Sequence, residues 1–538
     1  MTKLLSISLF ISYVFGLYAQ TGPMRYLLHF TDKDTIIYRI NKPEDYLSAR
    51  AIQRRINQHI AIGYDDLPVN PFYIDSLRKM GLKVYNPSKW FNSVTIESTD
   101  TMLLDTITAL SFIKTKTKNI HTLHTTHADI TEHLLSSPFS YGNAYRQIEI
   151  HHGDSLHAKG YTGHNMIIAV IDGSFGGADS MPAFDSLRTS GRILGVRDFV
   201  EFDDDVYIGT DHGMKVLSVM AANIPGQLIG SAPHASYWLL RSENEINYEY
   251  ITEEDNWIRA AEFADSAGVD IINSSLGYNI YQDDNTSYQY SDLDGNTARI
   301  SIAANIAASK GMLVITSAGN EGNKDWRYIT TPADAHHIIA VGAVTSDGYR
   351  TPFSSIGPTA DGRIKPDLMA MGTDVYLQKN PGIIATGQGT SYAAPIIAGL
   401  SACLWQAHPQ ATGKEIKDAL LQSASHYHNP DNYYGYGIPD VARALEILNA
   451  YKAIKKNIPY VIIYPNPCIE YFDIVLYEHY TEKIWLHLTT LNGHSIIKKQ
   501  IASNINRRIY LPEGITSGMY ILHIYGQDFF ISKKIVVL

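Results

Sequence analysis

The chain has 538 residues, a formal net charge of -10, 45% hydrophobic and 18% charged residues. That length points to about three to four domains with a large core and excludes general disorder. The mild negative charge, with no concentrated Lys/Arg stripe, argues against a nucleic-acid binder.

In chain order, MTKLLSISLFISYVFGLYAQ begins with Lys3 and an apolar or small run from Leu4 to Leu17, closed by Ala19. This predicts a secretory signal peptide over residues 1–19, with cleavage near Ala19-Gln20. The run is shorter than the about 20 apolar residues of a membrane span, and no later stretch reaches that length, so a soluble, exported protein is expected. Residues 22–140 alternate short strand-like and helix-like segments: MRYLLHF, PEDYLSARAIQRRINQ, YIDSLRKMG, LKVY, NSVTIES and FIKTKTK. They predict a small α+β region. Its last stretch, HTLHTTHADITEHLLSSPFS over residues 121–140, is polar and irregular, as an exposed linker open to proteolysis would be.

Residues 141–455 read as regular α/β. HNMIIAVID, SYWLLRS, VDIINSSL and GMLVITSAG are short apolar runs of the kind a fully buried parallel sheet uses. Between them, NWIRAAEFADSAG places Trp257, Ala260, Ala261 and Ala264 on one helical face. Strands alternating with helices predict a doubly wound parallel sheet. Residues 459–538 alternate apolar and polar positions around turns such as Asn492-Gly493, predicting a small all-β sandwich. The two cysteines, Cys403 and Cys468, fall in different regions, so no disulfide framework is expected.

Four residues carry candidate chemistry in the α/β region. VIDGSFGG puts Asp172 at the carboxyl end of a buried strand, and DHGMKVLSVMAA puts His212 at the amino end of a helix. GTSYAAPIIAGLSACLW puts Ser391 at another helix start, and TSAGNEG puts Asn320 just past a strand. A charged histidine poorly complements the dipole at a helix start, whereas a neutral imidazole there is suited to act as a base. Serine becomes a nucleophile when an imidazole takes its proton, and a buried carboxylate fixes the tautomer of that ring. Asn320 and the Ser391 N–H would supply the two oxyanion donors. Singly, these residues read as a turn aspartate, a helix-start histidine, a loop asparagine and an ordinary N-cap. The order Asp, His, Asn, Ser is far more specific.

On these motifs the region from Gln147 to Ala450 resembles the subtilisin-like (subtilase) serine peptidases. The resemblance implies Asp172 as acid, His212 as base, Asn320 as oxyanion donor and Ser391 as nucleophile. It further implies that Ser275, Leu276 and Gly277 pair with the substrate backbone as an added strand. Ser317, Ala318 and Gly319 would line part of the pocket for the residue before the scissile bond. Two motifs depart from the family pattern: Asp172-Gly173-Ser174 stands for Asp-Thr/Ser-Gly, and His212-Gly213-Met214-Lys215 for His-Gly-Thr-His. Residues 22–140 resemble a folding-assisting, inhibitory propeptide. YPNPCIEYFDIVL and the closing KKIVVL resemble the C-terminal sorting domain of type IX secretion cargo, implying contact with that machinery and a secreted or surface location.

The function expected is a secreted serine endopeptidase, a monomer acting on peptide or protein substrates without a catalytic cofactor. The alternative is a weak or inactive surface binding protein of the same fold. A lipase or esterase would carry Gly-x-Ser-x-Gly, whereas the chain reads Gly-Thr-Ser-Tyr-Ala. Asp203, Asp204 and Asp205, and Asp292, Asp294 and Asn296, offer oxygen ligands for a structural calcium, but no glutamate follows at EF-hand spacing. They read better as solvated acidic turns.

Overall fold

The computed structural model describes residues 24–34, 37–98, 100–119, 141–244, 250–281, 286–455, 461–476, 484–501, 507–526 and 530–538. The expected signal peptide and linker lie outside these residues. Among the described residues, no helix is long and apolar enough to cross a membrane.

Seven parallel strands form the central sheet. Their spatial order is Leu368–Met371, Ile339–Val344, Leu313–Ser317, Ile271–Ser274, Ile167–Asp172, Ser236–Arg241 and Ile193–Asp198. The chain enters at Ile167–Asp172, winds outward to one edge, then returns to build the other. The order therefore reverses beside the first strand, and the carboxyl ends there form the crevice where open α/β sheets assemble sites. Asp172 is the last residue of that strand.

Both faces of the sheet are covered, which explains the nearly unbroken apolar runs. Ile168 and Val170 pack with Met214, Val216, Ile396 and Ile397 on one side. Ala169 and Ile171 pack with Trp257, Ala260, Ala261 and Ala264 on the other. The helix Thr252–Ala267 buries the four residues assigned to one face and ends at Gly268, whose φ of 86° suits a glycine C-cap. Three strands go beyond those read from sequence: Ile193–Asp198, Ile339–Val344 and Leu368–Met371. The first is an edge strand in which Gly195 lies directly under Trp238; a Cβ there would sit 2.4 Å from the indole ring.

The N-terminal region forms a four-stranded antiparallel sheet in the order Lys83–Ser88, Ser93–Ser98, Met24–Phe30 and Ile113–Asn119. Helices Pro71–Lys79 and Thr101–Thr108 contribute Ile74, Leu77, Leu104 and Ile107 to a core with Leu28, Val94 and Ile96. The region is joined to the helix Thr252–Ala267 through polar contacts. Glu262 accepts from the Lys89 and Trp90 amides at 2.9 Å each and from Ser88 Oγ at 2.6 Å. Thr95 Oγ1 donates to Asp255 at 2.8 Å.

A second attachment lies at the amino-terminal edge of the central sheet. The helix Ala49–Asn57, capped by Ser48, buries Arg54 and Arg55 against the peptide groups that precede two central strands. Arg54 donates to Lys310 O and Val269 O, and Arg55 to Lys310 O. Asp265 pairs with Arg54 at 2.6 Å, Arg55 at 2.8 Å and Lys89 at 2.9 Å, and Arg55 also meets Asp66 at 2.8 Å. Burial would push the Asp265 carboxyl up, but Lys89, Arg55 and Arg54 hold it well below the ordinary carboxylate range. Removing one partner of such a buried cluster leaves uncompensated charge and costs about 3–5 kcal/mol. Arg55→Ala is therefore expected to lower the denaturant midpoint of the full chain, held uncut by Ser391→Ala, and an unchanged midpoint would contradict the clamp. The depressed carboxylate contributes its stability above its unfolded pKa, near 4, and loses it only as pH falls toward the folded value. The deficit of Arg55→Ala should thus be the same at pH 7 and pH 5.

The C-terminal region is a sandwich of two antiparallel sheets, one of three strands and one of four. Phe472, Ile474 and Ile509 from the first meet Leu486, Leu522, Ile524 and Ile535 from the second. The predicted Asn492-Gly493 turn joins Ile484–Thr490 to Ser495–Ile501, with Gly493 at φ 80°. Cys403 and Cys468 are both free and buried.

Candidate active site

Asp172, His212, Asn320 and Ser391 come from four separate elements around the sheet crevice. Asp172 is completely buried at its strand end. His212 is the first residue of the helix His212–Ala221, and its Nδ1 lies 2.6 Å from Asp172 Oδ1. A carboxylate at that distance keeps the ring proton on Nδ1, so Nε2 retains its lone pair. The ring is 31% exposed, so one side of it reaches the crevice. Gly213 N donates to Ser174 O at 3.0 Å, tying the helix start to the turn after Asp172. A side chain at Gly213 would strike the Phe175 ring at 2.9 Å.

Ser391 is the second residue of the helix Thr390–Ala407 and donates through Oγ to Ser275 O at 3.2 Å. Ser275 Oγ donates in return to Ser391 O at 2.8 Å. Asn320 is oriented by Thr390, whose N–H and Oγ1 both donate to Asn320 Oδ1, at 2.9 and 3.0 Å. That pairing assigns Oδ1 and directs Nδ2 elsewhere. The point a Cβ on Gly389 would occupy is 3.7 Å from Ser391 N and 3.8 Å from Asn320 Nδ2. Both donors thus flank the space that Gly389 leaves open, and Ser391 N belongs to the first helical turn, where amides lack helical acceptors. The role of Thr390 was not read from the sequence; the Gly-Thr-Ser triplet was its signal.

The six other candidates lie in the two segments that leave the neighbouring strands Ile271–Ser274 and Leu313–Ser317, beside Ser391 and Asn320. Leu276 and Ser317 are nearly buried, and Ser317 Oγ donates to Leu276 O at 3.4 Å. Ala318 N donates to Val341 O, and Gly319, at φ 104°, turns the chain into Asn320. Gly277 extends the segment that begins at Ser275.

The departures from the family motifs have local explanations. Met214 is fully buried in the core on the His212 side of the sheet, and Lys215 pairs with Asp211 at 2.6 Å. The buried second oxygen of Asp172, Oδ2, has no hydrogen-bond partner, and Gly173 offers no hydroxyl for it.

The acidic turns satisfy their own loops. Asp203 Oδ1 accepts Asp205 N at 2.9 Å, Asp204 pairs with Arg197, and Asp292 accepts Gln289 N. Asp294 accepts the Asn296 and Thr297 amides at 2.8 and 2.7 Å. Among the described residues, no group of three or more His, Cys, Asp or Glu is arranged to hold a metal ion.

Comparison with known proteins finds three family models along the chain. The subtilase family matches residues 125–437, a peptidase S8 propeptide domain of Bacteroidota matches 25–133, and a secretion system C-terminal sorting domain matches 462–538. Subtilisin NAT of Bacillus subtilis subsp. natto is 32% identical over 298 residues, 54% of this chain and 68% of that protein. Serine protease AprX of Bacillus subtilis is 29% identical over 317 residues, 54% of this chain and 66% of that one. Among solved structures, the prenylagaramide maturation protease PagA aligns with a TM-score of 0.45 at 22% identity, covering 55% of this chain and 98% of that one.

Proposed function

The chain belongs to the subtilase family of serine peptidases, and we propose that it hydrolyses internal peptide bonds through an acyl-enzyme on Ser391. The observation that carries this reading is the 2.6 Å hydrogen bond between His212 Nδ1 and the buried Asp172 carboxylate. Ser391 Oγ adds to the carbonyl carbon while His212 Nε2 takes its proton, and Asp172 stabilises the imidazolium. Asn320 Nδ2 and Ser391 N stabilise the oxyanion of the tetrahedral intermediate. His212 then protonates the departing amine as the C–N bond breaks. A water molecule, deprotonated by the same ring, releases the acid and restores Ser391. Every proton and charge is handled by these side chains and one backbone amide. Asn320→Leu is expected to lower kcat about 10²–10³-fold with KM little changed, measured on a peptide amide. A kcat within a factor of about three of wild type would remove Asn320 from this role.

The sorting domain indicates secretion or display at the cell surface. We further propose that the N-terminal region inhibits the enzyme until the chain is cut between Asn119 and Tyr141. Intact mass of the exported protein tests the cut. Wild type should lose the N-terminal region and Ser391→Ala should keep it. Equal trimming of the two, or none, would contradict self-processing. The alternative, a chain that binds peptides without cutting them, draws on the unpaired Asp172 Oδ2; the assembled Asp172–His212 pair weighs against it.

A further inference from the structure

The N-terminal region holds the carboxyl ends of two peptidase helices. The last carbonyls of a helix lack donors of their own and carry the negative end of its dipole. At the end of Thr252–Ala267, Arg54 Nη2 donates to Asp265 O and Arg50 Nε to Gly268 O, each at 3.0 Å. At the end of Arg299–Ser309, Lys310 O accepts from Arg54 Nε at 3.1 Å and from Arg55 Nη1 at 2.6 Å. Gln58 Nε2 donates to the next carbonyl, Gly311 O, at 2.7 Å. Its Oε1 accepts Gly413 N at 3.1 Å, at the start of the helix Gly413–Ser423.

The fit between the two parts is close. A Cβ on Gly268 would be 2.7 Å from Arg50 Cβ and 2.9 Å from Ser48 Oγ. One on Gly311 would be 2.9 Å from both Gln58 Nε2 and Ile60 Cδ1. Trp90 is buried in the same apolar cluster as Trp257, Ala261 and Leu293 of the peptidase domain, and Arg299 stacks over the Phe91 ring at 4.8 Å. Buried tryptophan and arginine anchors carry most of the energy of protein interfaces. An interface that shares one apolar core is of the obligate kind.

The capped carbonyls stand at the entry to the strands Ile271–Ser274 and Leu313–Ser317, whose far ends lead to Ser275 and Asn320. The capping arginines therefore lie at the opposite edge of the sheet from Ser391. None of these contacts is made by the stretch between Asn119 and Tyr141. A cut there breaks the chain and leaves them in place.

We propose that Trp90 and the capping arginines keep the N-terminal region on the enzyme after the cut, as a lasting second subunit of the active peptidase. The inference rests on the reading that the chain is cut between Asn119 and Tyr141. The cut ends the inhibition, while the region goes on capping both helices and holding the entry ends of the two strands. Its departure would strip those carbonyls of their donors and open the apolar socket of Trp90 to water.

The test places a site for a sequence-specific protease between Asn119 and Tyr141 of Ser391→Ala, so that cutting does not depend on the chain's own activity. After cutting, gel filtration at nanomolar concentration should give one complex with both pieces in equal amounts. Trp90→Ala should weaken that complex by at least about 30-fold. In a second arm, the exported wild-type chain is purified under native conditions, and a fluorophosphonate should label a species that still contains the N-terminal piece. Separation of the pieces in the first arm would overturn the proposal whether or not the variant folds, and so would an undiminished complex in a folded Trp90→Ala. Labelling confined to chains that have lost the piece, as with a simple inhibitor, would also overturn it. A wild-type chain that stays uncut would overturn self-processing, and an unlabelled one the peptidase reading; the first arm still decides retention in both cases.

Discussion

His212→Ala is expected to lower kcat on the order of 10⁶-fold while leaving the thermal midpoint within a few degrees of wild type. The ring is bonded to Asp172 at 2.6 Å on one side and is 31% exposed on the other, where it reaches the crevice. Without it, Ser391 keeps its proton at neutral pH and attacks a peptide carbonyl no better than an ordinary alcohol. Ser391→Ala should cost a similar factor, and the double substitution little more than either single one, because nucleophile and base act in one step. Rates on a single peptide amide check this. Additive losses in the double variant would mean that the two residues act independently.

Asp172→Asn is the second large effect, about 10⁴-fold in kcat. The amide is nearly isosteric, and its oxygen could still accept the Gly173 N–H, made at 2.9 Å in the parent. Its N–H₂ group would then face the ring, favouring the tautomer with the proton on Nε2, which cannot take a proton from Ser391. The burial of Asp172 makes this strict, since the side chain is shut off from bulk solvent. KM should change little, as the carboxylate lies behind the ring rather than against the substrate. A loss smaller than about 10-fold would show that His212 is oriented by other means.

The parts of the fold that were legible in sequence are those where one physical constraint dominates a short stretch. Ile167–Asp172 and Leu313–Ser317 are buried on both faces, so their residues are apolar without alternation. The helix Thr252–Ala267 shows its core face because Trp257, Ala260, Ala261 and Ala264 recur at helical spacing. His212 stands out because a histidine is an unusual opening for a helix, and Ser391 only through its place after Asp172, His212 and Asn320 in chain order. The edge strand Ile193–Asp198 was obscured by Gly195, Arg197 and Asp198, whose presence depends on Trp238, Asp204 and Arg241 elsewhere in the chain. Arg54 and Arg55 give no local reason for burial; their partners, Asp265 and Lys310 O, lie far along the sequence.

The central claim is that His212 and Asp172 activate Ser391, and a fluorophosphonate tests it most directly, because only an activated serine displaces the leaving group from phosphorus. The exported, processed chain should gain one adduct, located by peptide mapping on Ser391, and Ser391→Ala and His212→Ala should gain none. No adduct on the wild-type chain, or an adduct on another residue, would contradict the account.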